Sequence, residues 1–259
     1  DMVNYHPRPN TNKQAIVNDL GIDPNKPLIT FFTNVTWDAN IYYSSNIYPD
    51  MLEAIFHTID YFLTDSSRQL VVRVHPAESK GGFDTRVKLK DLIEENYSDL
   101  PAHINIVGSE SDLGSYALAD LSDLNIIYAS NIGTELAALG HRVMVLGEAY
   151  CRNRGFTLDP KTQEDVWSEI SKVENGAKAN KAEQELALRF AYFWFFRAMI
   201  DFDFFDYSIS SNSLAYFNER IVDLTDDSGK LKDKNLSEIV RAILSGRDFD
   251  YQKFNSDQV

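Results

Sequence analysis

The chain has 259 residues, 44% of them hydrophobic and 12% aromatic, enough for a sizeable core in one large domain or two small ones. Its 25 Lys and Arg stand against 39 Asp and Glu, a formal net charge of -14. A nucleic-acid backbone or an anionic membrane therefore meets repulsion over most of the surface, and any phosphate must be held by a local cluster.

Cys151 is the only cysteine. It excludes an intramolecular disulfide framework and a multi-cysteine zinc site, and it is consistent with a reducing cytoplasm. No apolar run has the length of a membrane span, and the opening DMVNYHPRPN lacks the apolar stretch of a signal peptide.

In chain order, short apolar strands alternate with amphipathic helical stretches. PLITFFT (27–33) reads as a strand. The segment 49–63 carries Leu52, Ile55, Phe56, Ile59 and Phe62 at helical spacing. QLVVRV (69–74) is the next strand, 85–96 a charged surface helix, and HINIVG (103–108) a third strand. A short helix over 111–121, a strand over 124–129, a helix over 133–140 and a strand over 142–147 complete the alternation. Five strands separated by helices imply right-handed crossovers and a mainly parallel, doubly wound α/β sheet. Such sheets bind ligands beyond the carboxyl ends of their strands.

After Gly155 the pattern changes to helices only, over 164–173, within 181–205 and over 235–246. The expected organisation is an α/β core over 1–155 and a helical segment over 156–259 that packs on it. The aromatic run RFAYFWFFRAMIDFDFF places rings on several helical faces, which suits a helix buried on more than one side. Contact with a further lobe is a second reading of that run and a membrane-surface role a third, against which the nearby Asp201, Asp203 and Asp206 argue.

The strand tips carry the polar chemistry. FTNVTWDAN sets Asn34, Thr36, Trp37 and Asp38 just past the first strand, either as ligand contacts or as ordinary turn formers. In VVRVHPAESK, Arg73 and His75 stand two apart on one pleat face, and Pro76 stiffens the turn. An imidazole and a guanidinium there could hold a phosphate. A histidine that merely caps the strand is the plain alternative.

YASNIGTELAALG runs from strand to helix through Ser130, Asn131, Gly133 and Thr134, small residues that could expose helical amides to an anion. Glu135 in the first turn could accept hydrogen bonds from a ribose diol, or simply favour a capped helix. The fifth tip brings Tyr150, Arg152 and Arg154, for a second phosphate or as solvated loop charges. The chain has no P-loop, no GxGxxG, no HExxH and no nucleophile elbow.

Together, FTNVTWD, LVVRVHPAESKG, YASNIGTELAALGHRVMVLGEAYCRNRGFT and the aromatic helix after them resemble bacterial capsule polysaccharide biosynthesis proteins. The similarity is to the C-terminal, nucleotide-binding lobe of their GT-B glycosyltransferase architecture, a Rossmann-like fold, and runs over residues 12–205. The resemblance implies transfer of a sugar from a nucleotide-activated donor, UDP- or CMP-linked, to a growing surface glycan, with no separate cofactor and no metal. It implies that His75, as catalytic residue, and Pro76 lie at the donor phosphate, and that Ser130, Thr134 and Glu135 hold phosphate and ribose.

A complete GT-B enzyme has two lobes with the active site between them. The expectation is therefore that an N-terminal acceptor lobe or partner chain completes the site, in the cytoplasm with at most peripheral membrane contact. A polyol-phosphate transferase of the teichoic-acid type and a non-catalytic interaction domain of a capsule assembly complex are the alternatives.

Overall fold

A computed structural model describes residues 9–36, 46–80, 85, 87–199, 205–206, 216–217 and 225–246. The chain divides into two units, Asp1–Leu188 and Arg189–Val259.

The first unit begins with α1 (Lys13–Leu20), capped by the Asn12 side chain at the Ala15 amide and ended by Gly21 in the left-handed conformation. Then follow β1 (Leu28–Phe32), α2 (Met51–Thr64), β2 (Gln69–Arg73), the short α3 (Ala77–Lys80), α4 (Leu89–Asn96) and β3 (Ile104–Val107). The chain continues with α5 (Ser115–Leu121), β4 (Leu124–Ile127), α6 (Ile132–Ala138), β5 (Val143–Val145) and α7 (Gln163–Ser171). α8 (Lys181–Tyr192) runs across the division between the units.

The five strands form one parallel sheet in the order β3-β2-β1-β4-β5. Every residue of β1, β2, β4 and β5 is buried, as the near-continuous apolar runs of a sheet covered on both faces require. One pleat face presents Ile29, Phe31, Leu70, Val72, Leu124, Ile126 and Met144 to Ala54, Ile55, Ile59 and Phe62 of α2 and to Val166 and Ile170 of α7. The other face presents Thr30, whose hydroxyl lies 2.6 Å from that of Ser122 at the end of α5, and Ile127, against which α6 rests. The sheet is thus the expected doubly wound α/β sheet.

Three expectations change. The helix placed over 85–96 begins only at Leu89, because the buried carboxylate of Glu78 accepts the Leu89 amide at 3.0 Å and supplies the cap that Lys88 does not. The first unit continues past Gly155 to Leu188, since a bridge between Met144 and Leu158 extends the sheet edge and α7 joins the core. The region after Gly155 is also not helical throughout, for the second unit contains an antiparallel pair, β6 (Phe205–Asp206) and β7 (Tyr216–Phe217).

The second unit further contains a π-helical turn, Phe193–Arg197, and α9 (Lys234–Ser245). No residue of the π-helical turn is buried, and Phe196 is 62% exposed. The part of the aromatic run within the described residues 189–199 is therefore not enclosed on several sides. Its rings stack on one another instead, Phe190 on Trp194 and Tyr192 on Phe196.

Candidate functional site

From β1 the chain proceeds to β2 and β3 on one side, then returns to β4 and β5 on the other. The connections diverge between β1 and β4, the switch point outside whose carboxyl ends doubly wound sheets form their ligand crevice. The tips of β1, β2 and β4 border it.

The first two tips are tied together. The Thr33 amide donates to the Arg73 carbonyl at 3.1 Å, and the Thr33 hydroxyl oxygen accepts the His75 amide at 3.0 Å. The Ala77 amide donates to His75 Nδ1 at 3.1 Å. A ring nitrogen that accepts a hydrogen bond carries no proton, so in the neutral imidazole the proton resides on Nε2. Pro76 fixes the turn, closed by the Glu78 amide on the His75 carbonyl and the Ser79 amide on the Pro76 carbonyl. His75 is thereby a preset Nε2–H donor at the tip of β2.

Arg73 does something other than expected. It is 1% exposed, and its guanidinium donates to the carbonyls of Gly108, Ser111 and Leu113 at 2.5, 3.1 and 3.2 Å. Burial pushes its pKa down to about 10, opposed by Glu110 and Asp112, so it is charged at neutral pH. With its donors turned into the protein, Arg73 is a clamp on the loop after β3 and not a phosphate ligand. Sequence spacing placed it on the right pleat face but could not show that this loop folds over it.

At the first tip, the Asn34 side-chain oxygen accepts the Val35 amide at 2.8 Å, the behaviour of a turn former. Asp38 and Trp37 lie outside the described residues.

At the fourth tip, the Ser130 hydroxyl accepts the Ile132 amide at 3.5 Å, the Ser130 carbonyl the Gly133 amide at 3.4 Å and the Asn131 carbonyl the Thr134 amide at 3.1 Å. These amides are engaged within their own turn, so the expected open cradle of helical N–H groups is not formed. The first two bonds are long and weak. Asn131 precedes α6 without a side-chain cap. Gly133 is dictated by packing, since a Cβ there would meet Ile127 Cδ1 at 2.4 Å and Cys151 Sγ at 3.2 Å. Thr134 is buried. Glu135 accepts a hydrogen bond from the Tyr116 hydroxyl of α5. Tyr116 escaped sequence reasoning; the signal was a hydroxyl-bearing aromatic in the first turn of the helix after β3, the place Glu135 takes after β4.

At the fifth tip, Arg152 is buried and donates to the Gly147 carbonyl, Glu148 Oε1 and Asn46 Oδ1 at 3.0, 2.9 and 3.3 Å. It is neither a solvated charge nor turned toward the crevice. The Arg154 Nε donates to the Tyr150 carbonyl at 3.3 Å, and Tyr150 is 56% exposed. Burial pushes the Cys151 thiol up to about 11. Among the described residues no group of three or more His, Cys, Asp or Glu could hold a metal ion, and no helix is long and apolar enough to cross a membrane.

No family model matches the chain, and no curated protein matches it. Solved structures similar to it include UDP-GlcNAc 2-epimerase from Neisseria meningitidis bound to UDP-GlcNAc, at 12% identity and a TM-score of 0.42 over 68% of this chain and 43% of that one. The wall teichoic acid polymerase TagF gives 12% identity and a TM-score of 0.39 over 71% of this chain and 43% of that one. MnaA of S. aureus with UDP gives 13% identity and a TM-score of 0.38 over 73% and 51%. The chain thus spans about half of these proteins or less. The fold rests on the strand order itself, and the site on its own geometry.

Proposed function

We propose that this chain is the donor-binding lobe of a glycosyltransferase that moves a sugar from a UDP- or CMP-linked donor to a growing bacterial capsule or surface polysaccharide. The observation that supports it most is the tautomer of His75, whose Nε2–H is fixed at the tip of β2 beside the switch point. As the glycosidic bond to the leaving phosphate breaks, negative charge grows on the phosphate oxygen. A donor fixed there strengthens its hydrogen bond as that charge develops, which lowers the barrier and not merely the binding energy.

In this reading the neighbouring Ser130 and Asn131 border the phosphate end with buried Thr134 supporting their turn from within, Glu135 receives the ribose diol, and Asn34 and Tyr150 border the crevice. Arg73 and Pro76 shape it from behind. The acceptor glycan and the general base belong to a second lobe or partner chain, and the setting is cytoplasmic. The donor is a substrate, and it is the one small molecule the reading requires.

The test is a calorimetric titration with UDP, CMP, CDP and GDP, repeated on Glu135→Ala and His75→Ala. Selective binding of one nucleotide, weakened in both variants, is the expected result; CDP selectivity with turnover of a CDP-polyol would redirect the reading to polyol-phosphate transfer. A folded chain that binds none of the four would instead favour a non-catalytic interaction domain. The exposed rings of Tyr192, Phe193 and Phe196 give that second reading its support.

A further inference from the structure

Tyr116 and Glu135 occupy corresponding places. Each stands in the first turn of a helix that follows a strand, α5 after β3 and α6 after β4. Helices of a parallel sheet start at the carboxyl edge and run back along it, so both first turns lie on the ligand side. There the Tyr116 hydroxyl donates to Glu135 Oε2. Burial, then the hydrogen bond to Glu135 and its charge, push the phenol well above its ordinary range, so it keeps its proton.

Tyr116 is 51% exposed, so packing alone does not account for where its ring stands. Its helix is anchored from behind: the Gly114 amide donates to the Asn10 carbonyl at 2.9 Å, and Arg73 holds the Leu113 carbonyl. The hydroxyl therefore reaches Glu135 from a fixed base. A carboxylate offers about four acceptor positions. With one taken by Tyr116, the plane of the group is set while positions for two further donors persist. An unheld glutamate would lose rotamer freedom on binding, which weakens what it binds.

We propose that Tyr116 is a positioning residue that holds the Glu135 carboxylate ready for a vicinal diol, so that the pair selects ribonucleotides over 2′-deoxyribonucleotides. The inference rests on the donor-lobe reading above. A ribose presents two adjacent hydroxyl donors to the carboxylate and a 2′-deoxyribose only one. The preset plane consequently favours the first, and the contribution of Tyr116 appears in the ratio of the two affinities.

The experiment is a calorimetric titration of the full chain with UDP, CMP and their 2′-deoxy forms, on wild type, Tyr116→Phe and Glu135→Gln, with thermal midpoints to confirm folding. Wild type is expected to prefer a ribonucleotide on the order of tenfold, the range of one hydrogen bond to a charged group. Tyr116→Phe removes only the hydroxyl and is expected to weaken the ribonucleotide several-fold while leaving the deoxy form in place. Glu135→Gln should narrow the ratio likewise. An unchanged ratio in Tyr116→Phe, or equal weakening of both forms, overturns the inference and leaves the donor-lobe reading standing. Failure of folded wild type to bind either ribonucleotide overturns that reading, and the inference with it.

Discussion

The guanidinium of Arg73 reaches from the end of β2 to the Gly108 carbonyl at 2.5 Å, joining the tip of one strand to the loop that leaves the next. Two further carbonyls, of Ser111 and Leu113, share the same group. Removing it leaves the buried carbonyls of Gly108 and Leu113 without this donor. Arg73→Ala is expected to destabilise the fold on the order of 3 kcal/mol. Arg73→Lys should recover less than half of that, because an ammonium cannot fork to three separated carbonyls. Urea unfolding midpoints measure both, and a lysine variant as stable as wild type would contradict the clamp.

A second prediction concerns pH. His141, just before β5, is buried with Nε2 3.2 Å from Asp120 Oδ1, and Asp120 is itself paired with Lys13 at 2.8 Å. Burial lowers the His141 pKa, helped by Lys178 and Lys13 and opposed by Asp120. Above the ordinary histidine value of about 6.5, folded and unfolded chains both carry it neutral. Below that value the unfolded chain takes up a proton that the folded chain resists. Stability therefore falls as the pH drops, by up to about 1.4 kcal/mol per unit, until the depressed folded value is reached. The Asp120 pKa is lowered, chiefly by its hydrogen bond from Lys13, so its stabilising contribution is lost only further down, through the carboxylate range. Below about pH 6.5 His141 contributes a downward slope, opposed by the carboxyls of Glu78 and Asp159, which burial raises and which act with the opposite sign, and His141→Gln should lessen the loss of stability toward acid in urea titrations. A variant that keeps the wild-type slope would refute that contribution.

The difference between what the sequence revealed and what it concealed lies in the range of the interactions. The strands were legible because a parallel sheet covered on both faces demands near-continuous apolar runs such as LITFF and LNII, in which Thr30 and Asn125 are the lone polar members. The carboxyl-edge placement of His75, Ser130 and Glu135 followed from the same alternation. The fate of Arg73 and Arg152 was hidden, because each is decided by carbonyls 35 to 40 residues away or by a loop conformation that leaves no mark in spacing. The late start of α4 was hidden for the same reason, its cap being Glu78, 11 residues upstream of Leu89.

The close approach of α6 to β4 gives the last prediction. Gly133 lies over Ile127, and a Cβ added there would fall 2.4 Å from Ile127 Cδ1, far inside van der Waals contact. Ile127 is fully buried, so its side chain has nowhere to yield. Gly133→Ala is expected to cost about 1–3 kcal/mol by overpacking. Ile127→Val deletes the offending methyl and alone should cost about 1 kcal/mol through the void it leaves. Combined, the two should cost less than their sum, since the new methyl enters the space the other vacates, and chemical unfolding of the four proteins measures that coupling. Strict additivity would mean that the helix shifts to admit the added methyl without regard to Ile127, and the contact would then not be what requires glycine.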